Sequence, residues 1–91
     1  YLVGVIALRT GQHISLLFVR GRFHRLGVGS QLLKVAIAEV AASDPVNPVV
    51  TVNSSPYAVE FYLANGFSAL GPEEKKDGIR YTSMRRSLKP L

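Results

Sequence analysis

The chain contains no cysteine. That excludes a disulfide framework, a thiol nucleophile and a cysteine zinc site, and with only two histidines in 91 residues no metal is expected. Long apolar runs are missing as well. None approaches the roughly 18 residues that a spanning helix needs, and no charged n-region precedes an apolar h-region, so no membrane association is expected and a cytoplasmic protein is. Acidic residues are scarce, six against eleven lysines and arginines, giving a formal charge of +5 and a pI near 10.0. Such a balance favours anionic partners. The basic residues are scattered apart from Arg20, Arg22 and Arg25, so nucleic acid is not the expected one. An initiator methionine is also lacking. The chain opens on Tyr1-Leu2-Val3 and runs straight into strand-like sequence, so an upstream part is expected to be missing.

What is present suits one domain over residues 1–91, with 47% hydrophobic residues to fill a single core. Leu2 to Arg9 and His13 to Val19 are β-branched and apolar and flank Thr10-Gly11-Gln12, which predicts a hairpin. In the second of these runs alternation puts His13, Ser15, Leu17 and Val19 on one face and Ile14, Leu16 and Phe18 on the other. From Gly27 to about Ala42, Val28, Leu32, Leu33, Ala36, Ile37, Val40 and Ala41 recur at spacings of three and four, a helix stripe facing a sheet. Ser43 to Pro48 breaks that helix. Val49 to Asn53 predicts a third strand, and Ser54-Ser55-Pro56 predicts an N-cap and first-turn proline for a helix from Tyr57 to Gly66. Phe67 to Leu70 and Ile79 to Leu88 then form a closing hairpin across a polar connection, Gly71 to Gly78. The alternation β-β-α-β-α-β-β gives an α/β domain: a mixed, mostly antiparallel sheet with a central parallel pair around the first helix.

The stretch from Val19 to Ser30 joins a strand to a helix through two glycines. A glycine turn lets a backbone approach a ligand, and the unpaired amides of a first helical turn attract anions. The dinucleotide fingerprint G-x-G-x-x-G fails because Leu32 stands at its last position, and the P-loop fails for want of a Gly-Lys-Ser/Thr. What remains is His24-Arg25-Leu26-Gly27-Val28-Gly29-Ser30.

This stretch resembles the Q/R-x-x-G-x-G/A turn of the GNAT superfamily of N-acetyltransferases, with Leu17-Phe18-Val19 as the strand before it. Ala58 to Tyr62 followed by Asn65-Gly66-Phe67 is similar to the family's A-x-x-x-Y…G-F helix end. Together the two blocks extend the resemblance over Leu2 to Leu88. It implies a GNAT-like acyltransferase fold whose N-terminal strands and helices are absent from this chain, and acetyl-CoA as cosubstrate. His24 stands where Gln or Arg is usual, and Ser55 where many members carry an Asn that touches the pantetheine arm. The resemblance implies a pyrophosphate grip by His24, Arg25, Leu26, Gly27, Val28, Gly29 and Ser30, and backbone donors to the thioester carbonyl around Phe18 and Val19.

It further implies direct attack by an amine of a small molecule or protein in a ternary complex. Tyr62 matches the general acid that protonates the departing thiolate. A lysine-like amine needs a base, since its deprotonation at pH 7 costs roughly 4.6 kcal/mol. His13, at the position of a catalytic Glu in some members, is the candidate. In the closing hairpin, Asp77 to Tyr81 is expected to line the acceptor cleft, with Arg80 favouring an anionic group. The first strand exposes an edge that a second subunit could cover, so a homodimer is an expected assembly. The alternative to an enzyme is a non-catalytic CoA-binding regulatory module.

Overall fold

The β-branched runs form strands and the periodic run between them a helix in the computed structural model, which describes residues 3–21 and 26–88. In chain order the elements are β1 (Gly4–Arg9), β2 (His13–Val19), α1 (Val28–Ser43), β3 (Val49–Ser54), α2 (Val59–Ala64), β4 (Ser68–Ala69), β5 (Glu74–Lys76) and β6 (Ile79–Ser87). The sheet runs β1-β2-β3-β6-β4, with β5 paired to β6 alone. Strands β2 and β3, which bracket α1, are parallel, and every other pair is antiparallel. This is the mixed sheet that the element order predicts.

One face of the sheet carries the core. Ile14, Val50, Val52 and Met84 from the strands meet Leu33 and Val40 of α1, Tyr62 of α2 and Phe67 just beyond it. Leu33, Ala36 and Val40 recur at spacings of three and four and are the buried side of α1. Burying side chains of this size contributes about 1.5–3 kcal/mol each. The helix ends at Asp44, whose carboxylate accepts from the amides of Val46 and Asn47 at 3.2 and 3.1 Å and turns the chain toward β3.

Strand β2 departs from simple alternation. Ala7 pairs with Leu16 but Leu8 pairs with Ile14, so Ser15 is an extra residue with no partner on β1. Its hydroxyl donates to the Ala7 carbonyl at 3.3 Å. A one-residue bulge reverses the parity of everything after it. Ile14 and Leu17 therefore pack into the same core. Leu16 and Phe18, 49% and 48% exposed, lie on the opposite face with Val5 and Ala7 as their ladder partners. The face assignment read from strict alternation is thus corrected for Leu17 and Val19.

The second helix is shorter than its sequence suggests. Pro56, Tyr57 and Ala58 form a turn closed by the Ala58 amide on the Ser55 carbonyl at 3.1 Å, and Ala58 is the N-cap, with no side-chain cap bond. The Ser54 hydroxyl bonds the Ser55 carbonyl at 2.8 Å, so neither serine caps the helix. At the other end Phe67 N–H reaches the Tyr62 carbonyl and Gly66 N–H the Leu63 carbonyl, at 3.0 and 3.1 Å, a Schellman closure. The polar connection after β4 is itself structured. Asp77 and Gly78 have φ of 53° and 80°, a two-residue turn that pairs Glu74–Lys76 with the start of β6.

Candidate functional site

Helix α1 begins without a cap. Gly27 sits at its N-cap in the left-handed region, φ 78°, with no side-chain cap bond, and the first turn holds no acidic residue. The first helical bond is Gln31 N–H to the Gly27 carbonyl at 3.0 Å, so the amides of Val28, Gly29 and Ser30 have no partner among the described residues. Donors left open at a helix start, with the partial positive charge of the dipole behind them, suit an anion. The two glycines serve different ends. A Cβ on Gly27 would meet nothing within 4 Å, so the turn needs glycine for its backbone angle. A Cβ on Gly29 would lie 3.3 Å from the Phe61 ring, so that glycine lets α2 pack against the start of α1. His24 and Arg25 lie outside the described residues, as does Arg22. Leu26 is exposed at the turn, and Arg20, at the end of β2, is half-buried with its amide on the Val3 carbonyl at 2.7 Å.

Beside this turn the sheet opens. The parallel ladder between β2 and β3 consists of His13↔Thr51 and Ile14↔Val52 and stops there, while β2 continues to Val19 against β1. From the bulge onward β2 and β3 diverge into a slot. Ladder alternation decides which backbone groups face it. The bond from Arg20 N–H to the Val3 carbonyl fixes the Val5↔Phe18 and Ala7↔Leu16 pairs as hydrogen-bonded ones. The Phe18 amide is therefore committed to β1. The amides of Leu17 and Val19 point toward β3 and the slot. Alternation without the bulge does not reveal Leu17 as a donor.

Tyr62 is 4% exposed and lies edge-on to Phe61 and Phe67, with centroids 5.2 and 5.3 Å away. The adjacent aromatics divide their work: Tyr62 fills the core while Phe61 leans on Gly29. No hydrogen bond holds the Tyr62 hydroxyl, and no buried polar side-chain atom among the described residues lacks a partner, so the hydroxyl keeps a window to the surface. Burial raises its pKa above the ordinary 10.0. Ser55 is exposed in the turn after β3.

His13 sits at the closed end of the slot. Its Nδ1 lies 2.8 Å from the Thr51 hydroxyl across the parallel pair. Partial burial, and then the Arg9 guanidinium, lower its pKa below 6.5. The sign follows from linkage: folding favours the neutral ring, so this contribution is full above 6.5 and is lost as pH falls from there through the folded-state value. A His13→Gln chain is expected to lose less stability than the parent between pH 7.5 and 5. Urea midpoints at the two pH values measure this, and equal losses would remove His13 from the account. Arg80 pairs with Glu73 at 3.6 Å, so its charge is already matched.

A cleft of about 340 Å³ adjoins the open helix start. Ser30, Lys34 and Ile37 of α1 form one wall, Asn65 and Gly66 the end of α2, and Arg86 of β6 the far side. Arg86 donates through Nη1 to the Asn65 carbonyl at 3.0 Å. Among the described residues two cations and no carboxylate line it. Sequence reasoning misses both. Lys34 follows Ser30 by one helical turn and was legible as a neighbour of the glycine turn, but Arg86 arrives through strand pairing that no local pattern encodes.

Three comparisons bear on this arrangement. The family model described as an acetyltransferase (GNAT) domain matches residues 1–88. Among solved structures, a GCN5-related N-acetyltransferase from Rhodopseudomonas palustris is 28% identical, with a TM-score of 0.78 over 94% of this chain and 54% of its own. A GNAT-family acetyltransferase from Staphylococcus aureus is 23% identical, with a TM-score of 0.73 over 97% and 61%. Ard1 from Thermoplasma volcanium is 23% identical, with a TM-score of 0.72 over 97% and 64%. The chain thus spans little more than half the length of these structures. No curated protein matches it. The uncapped glycine turn, the slot between parallel strands and the family match over nearly the whole chain agree: the chain belongs to the GNAT acetyltransferase domain family.

Proposed function

We propose that the chain carries the coenzyme half of an acetyl-CoA-dependent N-acetyltransferase. The observation that supports this reading best is the parallel ladder of only two residue pairs, which leaves a slot beside an uncapped helix start. The open amides of Val28, Gly29 and Ser30 suit the pyrophosphate. The Lys34 and Arg86 cleft suits the phosphate on the adenosine, and the slot suits the extended pantetheine arm. Acetyl-CoA supplies the acetyl group as a thioester.

The chain's own groups then have distinct tasks. The Leu17 amide, aimed into the slot, is placed to donate to a carbonyl oxygen where negative charge develops. The Tyr62 hydroxyl, held protonated by burial, is the proton donor for a thiolate, a transfer uphill by roughly 2 kcal/mol from reference pKa values. His13 is the proton acceptor for the incoming amine, directly or through water. Because its pKa is lowered, it stays neutral and able to accept a proton below pH 6.5.

Calorimetric titration with CoA, followed by thiol release over a panel of amines, tests the reading. Binding with turnover is expected. Binding without turnover by the full-length protein would leave a CoA-binding module. In the same titration Lys34→Gln and Arg86→Gln should each weaken CoA by about three- to tenfold while leaving dephospho-CoA within twofold. Equal losses for both ligands would move the adenosine phosphate out of the cleft.

A further inference from the structure

Arg86 stands where the sheet calls for an apolar residue. It lies opposite Val50 in the ladder between β3 and β6, and Val50 is wholly buried in the core. Directly opposed residues share a face, and alternation puts Thr82, Met84, Arg86 and Leu88 together on the core side of β6. Of these four, Arg86 alone is charged. A half-buried guanidinium on such a face costs desolvation unless something answers it.

No carboxylate among the described residues pairs with it. Arg86 donates instead through Nη1 to the Asn65 carbonyl at 3.0 Å, at the C-terminal end of α2, where the helix dipole places partial negative charge. The rest of the side chain lies along Gly66. A Cβ added there would stand 3.3 Å from Nε, 3.4 Å from Cδ and 3.5 Å from Cζ, so this glycine gives the arginine room as well as giving the chain its left-handed turn at φ 87°.

The end that Arg86 holds needs holding. Helix α2 has six residues, too few to be stable alone, and its N-cap, Ala58, makes no side-chain cap bond. Leu63 and Ala64 are exposed, so the helix carries no buried side chain past Tyr62. Asn65 lies nearly one turn beyond Tyr62 and is tied to it. The Tyr62 carbonyl accepts from the amides of Asn65 and Phe67, both at 3.0 Å, and Asn65 Nδ2 donates to the Phe61 carbonyl at 2.8 Å. A displacement of Asn65 therefore passes directly to the backbone that carries the Tyr62 ring.

We propose that Arg86 is the positioning residue for Tyr62: from β6 it clamps the C-terminal end of α2 and so fixes where the phenol presents its proton. The clamp rests on the acetyltransferase reading for its purpose and on the Asn65 contact for its existence. It is compatible with the phosphate role of the same side chain, because a guanidinium has five N–H donors and the Asn65 carbonyl takes one. A misplacement of about 1 Å can cost about 10²-fold in rate, so a partial release should cost about 5- to 20-fold in kcat.

Acetyl-dephospho-CoA is the donor for the test, since it lacks the phosphate that Arg86 also serves. Arg86→Met suits a place opposite Val50 and removes every donor. With donor and an accepted amine both saturating, it should lower kcat by about 5- to 20-fold. Arg86→Lys keeps a cationic donor of similar reach and should return kcat to within about threefold of the parent. In a Tyr62→Phe background Arg86→Met should cost less than about twofold more, because a residue acting through the hydroxyl has nothing left to position. Equal losses in both backgrounds, or no return with lysine, overturn the clamp.

Tyrosine ring signals read the clamp without turnover. With ring carbons isotopically labelled, and Tyr62 assigned by its loss in Tyr62→Phe, Arg86→Met should move the Tyr62 resonances and leave those of the exposed Tyr57 in place. Unmoved Tyr62 resonances overturn the clamp. Moved resonances in a protein that transfers no acetyl group would strike the function and leave the clamp.

Discussion

Gly27→Glu is expected to weaken CoA binding by at least about 100-fold. Two costs combine. An L-residue forced into the left-handed region gives up about 1–2 kcal/mol, and Gly27 has φ of 78°. The new carboxylate would stand beside three open amides that suit phosphate, replacing attraction by repulsion and competing for the donors. Since a Cβ there meets no atom within 4 Å, the effect is not a packing defect. Gly27→Asn separates the causes. Asn tolerates the left-handed region and carries no charge, so this chain should stay within about tenfold of the parent. Calorimetry on both variants, with circular dichroism to check the fold, makes the comparison. Parental affinity in Gly27→Glu would place the ligand elsewhere.

Tyr62→Phe should lower kcat by about 10²- to 10³-fold and leave CoA affinity within threefold, as expected for loss of a general acid. The substitution is unusually clean. The hydroxyl has no hydrogen-bond partner, so its removal orphans nothing, and the ring contacts with Phe61 and Phe67 remain. The urea midpoint should be unchanged or slightly raised, because the hydroxyl makes no hydrogen bond within the fold that its removal would cost. Turnover equal to the parent's would remove Tyr62 from the chemistry. A fall in kcat accompanied by a large loss of stability would show that the hydroxyl supports the fold and would count against a specific role as proton donor.

Local patterns carried most of the architecture. The spacing of Leu33, Ala36 and Val40 located α1, and the β-branched runs located β1, β2, β3 and β6. The glycine turn and the parallel pair around it followed from the order of elements. What escaped was set by a single residue or by distant pairing. The extra Ser15 in β2 is invisible to a period-two reading, because bulged and regular strands have the same composition. It decides that Leu17 and not Phe18 offers an amide to the slot. The turn formed by Pro56, Tyr57 and Ala58 displaced the expected serine cap, since the Ser54 hydroxyl found the neighbouring carbonyl instead. Arg86, which marks the cleft and the end of α2, reaches that place only through the register of β6 on β3. The Asp77-Gly78 dipeptide was a legible hairpin signal within a stretch read as plain connection.

The short seam between β2 and β3 also bears on how the domain breathes. Two ladder pairs join one sheet segment, β1 with β2, to another, β3 and β6 with the short β4 and β5, and α1 is the main strut across the joint. Such a joint is a natural line of sub-global opening. Amides of Ile14 and Thr51, the latter bonded across the joint to the Gln12 carbonyl at 3.1 Å, should therefore exchange with solvent faster than those in the middle of the β3 and β6 ladder, and a ligand lodged between the segments should slow them. Occupancy of the slot then becomes part of the domain's cohesion, and its gain in stability grows with the logarithm of ligand concentration.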